Sequence, residues 1–349
     1  MIRTRPDSRI RQKRWSGIPS TRPSVVIEAI YDAVHAYYTD PVNAGVPYDE
    51  GEFIVQPIDT ADVLRKLGFY AQEGFFQVVV DAEAEGDWFV PTANGHWLGS
   101  HRHQEVIWAW SSFCDTVKHK TRFHFANEPR DDFGSPQEIH PSNTLHAVAD
   151  CLRNHIKILP SGVEVYRARV RRRGETWQPS ADEMGPPPNE KATAGRMNPA
   201  GIPYLYTAFD RITARQEIGV QPRSTKTAFT ATFTLSKPLT VIDLTQTPSL
   251  PSVFDIGRKH DREKILFVKE FTKAISWRVT KDGQEHIDYV PSQIICEYLA
   301  QIFRLDDGTR LGGLVYPSSV HEGGKNLVVF PEDRYKGTFY GVMFTSAEP

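Results

Sequence analysis

The chain has 349 residues, 24% of them charged and 40% hydrophobic, with a formal net charge of −2. That balance excludes wholesale disorder and any bulk electrostatic pull toward nucleic acid or acidic membranes. No stretch reaches the roughly 20 apolar residues of a membrane helix. The three cysteines, Cys114, Cys151 and Cys296, are odd in number and far apart, which points to buried thiols in a reducing, cytoplasmic setting rather than to a disulfide framework. The length accommodates one large or two ordinary domains, and two is the stronger expectation.

Residues 1–23 open with "MIRTRPDSRIRQKRW", basic but without an apolar core, and so neither a secretory signal nor an anchor. They read as a flexible, solvated tail, with a nucleic-acid or partner-binding arm as the lesser alternative. Helices follow at residues 24–38, 101–118 and 142–157. The last is the clearest: Ser142 is placed to cap it, and Leu145, Val148, Leu152 and Ile156 recur at steps of three and four along one side. Pro-, Gly- and Asp-rich clusters such as "DPVNAGVPYDEGEF" separate these helices, so residues 24–158 form a mainly helical domain.

Past residue 158 the texture changes. "VEVYRARV" alternates as a half-buried strand does. Residues 171–195, with "RRRGETW" and "GPPPNEKATAG", are too rich in Pro and Gly for regular structure and too long to be a simple connection. Strand-like runs then dominate: Tyr204 to Phe209, "TAFTATFTLS", "LTVIDL", "LGGLVY", "NLVVF" and "GTFYGVMF". They are interrupted by a helix at "SQIICEYLAQIF", with Ser292 as its expected cap. Residues 159–349 are therefore an α+β domain, and the fold class of the whole is α+β.

Single residues carry little chemistry alone. Arg167 or Arg169 on the alternating strand can face a cleft, and Arg suits bidentate capture of phosphate; by composition alone, "RARVRRR" is better read as a charged edge strand entering a solvated loop. Thr213 and Gln216 fit a Thr-x-x-Gln capping box, which puts Glu217 in the first turn of a helix, where the dipole favours a carboxylate without any function. Ser318 and Ser319 lie in a turn between strands. His101, His103, Cys114, His119 and His124 cluster in sequence, but at spacings that match no standard zinc pattern. No Gly-x-Gly-x-x-Gly joins a strand to a helix, which disfavours a Rossmann fold.

In order, however, "VYRAR", "GPPPNEKATAGRMNPAGIPYLYTAFDRITARQEI", "YVPSQIICEYL" and "GLVYPSSVHEGGKNLVVF", from about Val163 to Phe330, closely resemble the RES domain. "FCDTVKHKTRFHF" at residues 113–125 is similar to the HEPN-like helical domain that precedes RES in longer members, although no Arg-x(4–6)-His ribonuclease motif follows it. The resemblance implies an ADP-ribosyltransferase-like fold that consumes NAD+ as a substrate, by phosphorolysis or hydrolysis of the nicotinamide glycosidic bond, with no bound cofactor and no metal. It carries catalytic roles to Arg167, Glu217 and Ser318, with Ser319 as the rival for the last. It carries NAD+-binding roles to Arg196, Tyr206 and Asn326.

It further implies inorganic phosphate as a co-substrate, an antitoxin or phage-defence partner protein, homo-oligomerisation, and action as a toxin. Transfer of ADP-ribose to a protein or small acceptor remains open as the alternative, since the first half-reaction is shared. A non-enzymatic interaction or nucleic-acid-binding module is a third reading, supported by the N-terminal arginines and "KHKTR".

Overall fold

The computed structural model describes residues 22–82, 88–93, 95–127, 139–220, 227–276, 283–332 and 341–349. Residues 1–21 of the expected tail and 337–340 of the last expected strand lie outside them. By compactness the chain divides into two units, the first ending at Leu98 and also holding Val253–Ile256, the second made of the rest. The break at Leu98 therefore precedes the change of sequence texture near residue 158, which instead coincides with the start of the large sheet described below.

The first unit contains α1 (Pro23–Tyr37), β1 (Tyr38–Thr39), β2 (Tyr48–Asp49), β3 (Glu52–Phe53), β4 (Ile58–Asp59), α2 (Thr60–Lys66), α3 (Glu73–Val80) and β5 (Trp88–Pro91). Its core joins Ile30, Tyr31 and Val34 to Val63, Leu64, Phe76, Val79 and Phe89. The buried Tyr31 hydroxyl donates to the Val79 carbonyl at 2.8 Å, which satisfies its polar end. A small antiparallel sheet, in the order β1-β5-β4, accompanies the helices.

The second unit begins with α4 (Arg102–His119) and α5 (Thr144–Leu152), then β6 (Ile156–Leu159), β7 (Glu164–Val170), α6 (Ala181–Met184), β8 (Leu205–Ala208) and α7 (Arg211–Glu217). It continues through β9 (Ala228–Leu235), β10 (Leu239–Asp243), α8 (Lys259–Ser276), α9 (Glu285–Asp288), α10 (Val290–Gln301), β11 (Gly313–Pro317), β12 (Lys325–Val329) and β13 (Val342–Glu348). Eight strands form one sheet in the order β13-β9-β7-β8-β12-β11-β10-β6. Neighbours are antiparallel except β10 and β11, whose parallel pairing requires a long crossover, here supplied by α8, α9 and α10.

Neighbouring residues of a strand face opposite layers, and the sheet has a core on each side. Ile242, Leu314 and Val328 join one core with Trp110, Phe113, Val148, Leu152, Phe271 and Leu299 of α4, α5, α8 and α10. Val241, Val315 and Leu327 join the other, with Val165, Leu205, Phe233 and Met184. Each fully buried side chain of this size contributes about 1.5–3 kcal/mol, so helices α4 and α5 are integral to the layer that backs the sheet. Burial also pushes the Cys114 and Cys151 thiols up to about 12.

Three local expectations are corrected. The helix expected over 142–157 starts at Thr144, after a turn of 3₁₀ helix over Pro141–Asn143 that holds Ser142, and it ends at Leu152. Ile156 is drawn into β6 by pairing with Ile242, so ladder hydrogen bonds override the helical spacing. Ser292 does not cap α10 but lies inside it, donating to the carbonyls of Arg196 at 2.5 Å and Tyr289 at 2.9 Å. Within 171–195, the short helix α6 forms because the Ser180 hydroxyl accepts from the Glu183 amide at 3.3 Å.

Candidate active site

β7 and β9 pair through seven residues of β7, from Glu164 to Val170. On its other side β7 meets β8 through a single pair, Tyr166 with Ala208. The sheet therefore parts between β7 and β8. Helix α7 lies over the parting because only small side chains, Ala168, Ala208 and Ala214, stand at the contact, flanked by Tyr166 and Ile218. The gap is a cleft of about 270 Å³ lined by Arg167, Tyr206, Glu217, Tyr316, Asn326 and neighbours. That lies just below the usual range of ligand pockets, roughly 300–1,000 Å³, so it suits one end of a long ligand rather than the whole.

Helix α7 is not capped by Thr213. Asp210 is the cap, accepting from the Thr213 amide at 2.7 Å, so the helix starts three residues earlier than expected. Glu217 then falls on its last residue, not in its first turn. A carboxylate at a helix C-terminus opposes the dipole by about 0.3–1 kcal/mol. Side-chain donors hold it there: the Ser318 hydroxyl donates to Glu217 Oε1 at 2.7 Å, and the Asn326 amide donates to the same oxygen at 2.6 Å. Of the two candidate serines, it is Ser318 whose hydroxyl reaches Glu217. Among the described residues Oε2 has no partner, and Glu217 is exposed.

The opposite element supplies Arg167. Its Nη1 is buried and without a hydrogen-bond partner among the described residues. Burial pushes its guanidinium down to about 10, the nearby Arg169 adding to the effect and Tyr206 opposing it; the group is still a cation at neutral pH. Arg169 points elsewhere, to Glu183 at 2.6 Å and over the Trp177 ring at 4.7 Å.

The "GRMN" loop is bolted to the sheet through Tyr206. The Tyr206 hydroxyl donates to Asn198 Oδ1 at 2.8 Å and accepts from the Met197 amide at 2.9 Å. Asn198 in turn donates to the carbonyls of Thr193, Pro199 and Ile202. Gly195 is required here: a Cβ would come within 2.5 Å of Asn198 Oδ1 and 2.8 Å of the Tyr206 hydroxyl. Arg196 is not among the cleft residues; its Nη1 makes a long contact of 3.4 Å to the Ser276 carbonyl.

The structure thus brings together Arg167, Tyr206, Glu217, Ser318 and Asn326, and leaves Arg196 outside the cleft wall. It adds residues that sequence reasoning missed: Asn198, Thr213, Tyr316 and His321. Asn198 was legible as part of "GRMN"; Tyr316 reads as an ordinary buried strand residue. Burial, then the neighbouring Glu217 charge, raise the Tyr316 phenol far above its usual value, so it lines the cleft as a neutral donor.

Residues 164–338 match the RES domain. The chain belongs to the RES family. Ahead of the RES domain, residues 16–131 match HEPN/RES N-terminal domain 1, a span that runs through α4. No curated protein matches the chain. One similar solved structure is the Mycobacterium tuberculosis MbcT-MbcA toxin-antitoxin complex, 13% identical, with 58% of this chain and 90% of that chain covered and a TM-score of 0.31. Every cleft residue named above lies within the RES match. Among the described residues of this RES protein no helix is long and apolar enough to cross a membrane.

Proposed function

We propose that this RES protein cleaves the nicotinamide N-glycosidic bond of NAD+, used as a substrate, by transfer of ADP-ribose to phosphate or water. The observation that carries the reading is the presence, in one cleft, of a carboxylate oxygen on Glu217 and a buried guanidinium nitrogen, Nη1 of Arg167, both unpartnered among the described residues. A dinucleotide has the complementary pattern: a ribose carbon that becomes positive in the transition state, and an anionic pyrophosphate.

The bond breaks with its electron pair moving onto the pyridinium nitrogen, which becomes neutral, so the leaving group needs no general acid. Catalysis then rests on positioning and on stabilising the oxocarbenium-like ribose. Glu217, fixed through Oε1, offers Oε2 to that charge or to the ribose hydroxyls, as glycosidase carboxylates do. A phosphate or water oxygen forms the new bond to the same carbon, water releasing its proton to solvent. Arg167 pairs with the pyrophosphate or an incoming phosphate through charge-assisted hydrogen bonds. The Tyr206 ring lies along the nicotinamide, and Arg196 leaves its long contact with Ser276 to reach the pyrophosphate. A toxic effector held in check by an antitoxin or defence-system protein is the setting in which this chemistry fits.

The test incubates purified protein with NAD+, with and without phosphate, and follows nicotinamide and the ADP-ribose products. The phosphate ester as product marks phosphorolysis, and free ADP-ribose marks hydrolysis. Stable label on macromolecules in a lysate assigns protein ADP-ribosylation instead. Intact NAD+ under all conditions, with folded protein, refutes the reading.

A further inference from the structure

Beyond the residues that face the cleft, a part-buried polar chain joins α7 to the turn that carries Ser318. Thr213, fully buried, donates its hydroxyl to Asp210 Oδ2 at 2.5 Å. Thr213 Oγ1 itself lies 2.6 Å from His321 Nδ1. A threonine hydroxyl has one proton, and the carboxylate takes it. Desolvation pushes the Asp210 carboxyl up, but the bonds from the Thr213 side chain and backbone hold it below its usual value, so it is the ionised acceptor. His321 Nδ1 must therefore carry the proton it shares with Thr213.

The turn has a second set of ties. Ser318 Oγ accepts from the amides of Val320 at 3.2 Å and His321 at 3.1 Å while donating to Glu217. The Ser318 amide donates to the Gly324 carbonyl, and the Gly324 amide to the His321 carbonyl. Gly324 is packed so tightly that a Cβ would lie 2.6 Å from Thr213 Oγ1 and 2.8 Å from His321 Nδ1. Thr213 and Glu217 are four residues apart on one helix, hence on one face. The face that receives the Ser318 bond through Glu217 also grips the Ser318 turn through Thr213.

We propose that Asp210, Thr213 and His321 form a positioning relay that locks the 318–324 turn onto α7 and sets the angle at which Ser318 meets Glu217. The proposal rests on the NAD+-cleaving reading, in which Glu217 acts on the ribose. A shift of about 1 Å in such a group costs on the order of 100-fold in rate, so the relay acts on turnover more than on substrate binding.

The experiment compares His321→Asn, whose amide nitrogen stands where Nδ1 does, with His321→Gln, whose amide nitrogen stands where Nε2 does. His321→Gln is expected to lower kcat for NAD+ cleavage by about 10- to 100-fold with KM changed much less, and His321→Asn to recover most of the loss. Selective ¹⁵N-histidine spectra of the whole chain, assigned by the signal missing from His321→Asn, are expected to show the Nδ1–H form. Equal losses in the two variants, a loss in KM alone, or an Nε2–H tautomer overturns the relay. Should His321→Gln fail to fold, Thr213→Val against Thr213→Ser asks the same question of the hydroxyl. If the wild-type protein leaves NAD+ intact, the functional reading fails, and the tautomer still decides the relay.

Discussion

The two walls of the cleft treat their charges in opposite ways. On the α7 side, Glu217 is supplied with a hydroxyl and an amide on one oxygen, although the helix end beneath it disfavours a carboxylate. On the β7 side, Arg167 is half-buried, with its Nη1 buried and unpartnered among the described residues. The first wall is complete without a ligand, and the second is completed by one. A third group differs from both: His155, between α5 and β6, has both ring nitrogens buried and unpartnered among the described residues. Burial pushes its imidazole down, with Asp243 opposing and Lys157 adding. A neutral ring can endure such a place, whereas an unpaired buried cation is costly enough to need a counter-charge. Lack of a partner marks a binding group only where charge and a cleft coincide.

The largest effect should come from the completed wall. Glu217→Gln keeps the shape and loses the charge, and a fall in kcat of about 10²–10³-fold is expected, the scale of one preorganised electrostatic contact; nicotinamide release measures it. If KM rises instead while kcat holds, Glu217 belongs to ground-state binding and the two walls are alike. Arg167→Met separates them further. Its loss should weaken NAD+ binding by roughly 10- to 100-fold, the worth of a charged hydrogen bond of about 1.5–3 kcal/mol. It should also raise the stability of the unliganded protein, because an apolar chain replaces a charge whose buried nitrogen has no partner among the described residues. A melt in which Arg167→Met is the less stable protein would break the comparison.

Tyr206→Phe tests the bolt beneath both walls. Leaving the Met197 amide and Asn198 Oδ1 short of a partner should cost about 1–3 kcal/mol, seen as a Tm several degrees lower, with activity falling in parallel. The smallest effect is expected at His155. Its folded-state pKa lies below the ordinary 6.5, so as pH falls through 6.5 the unfolded chain takes up a proton that the folded one refuses, and stability declines by at most about 1.4 kcal/mol per unit. His155→Leu should flatten that part of the stability curve without altering turnover at neutral pH.

Much of the scaffold could be read from the chain. Alternation exposed β7 and β9, and apolar spacing exposed α4 and α10 within a residue or two. Ile156 was misread because a helical step and a strand residue share the same apolar identity, and only its partner Ile242 decides between them. The order of α7 was misread because Asp210-x-x-Thr213 and Thr213-x-x-Gln216 are both plausible starts, and which side chain turns back to an amide is settled by packing. That single shift moves Glu217 from a favoured helix position to a disfavoured one, which is itself the sign of a functional group. Thr213 and His321 were illegible as a pair because the contact between them spans 108 positions.

The spread of the cleft along the chain has a consequence for synthesis. Arg167, Glu217, Ser318 and Asn326 come from β7, α7 and the β11–β12 region, and domains assemble as the chain emerges from its N-terminus. A nascent or truncated chain that stops short of residue 318 has the guanidinium and the carboxylate but not the two donors that aim the carboxylate. If the chain cleaves NAD+ as proposed, the site is completed only when the late β11–β12 hairpin closes.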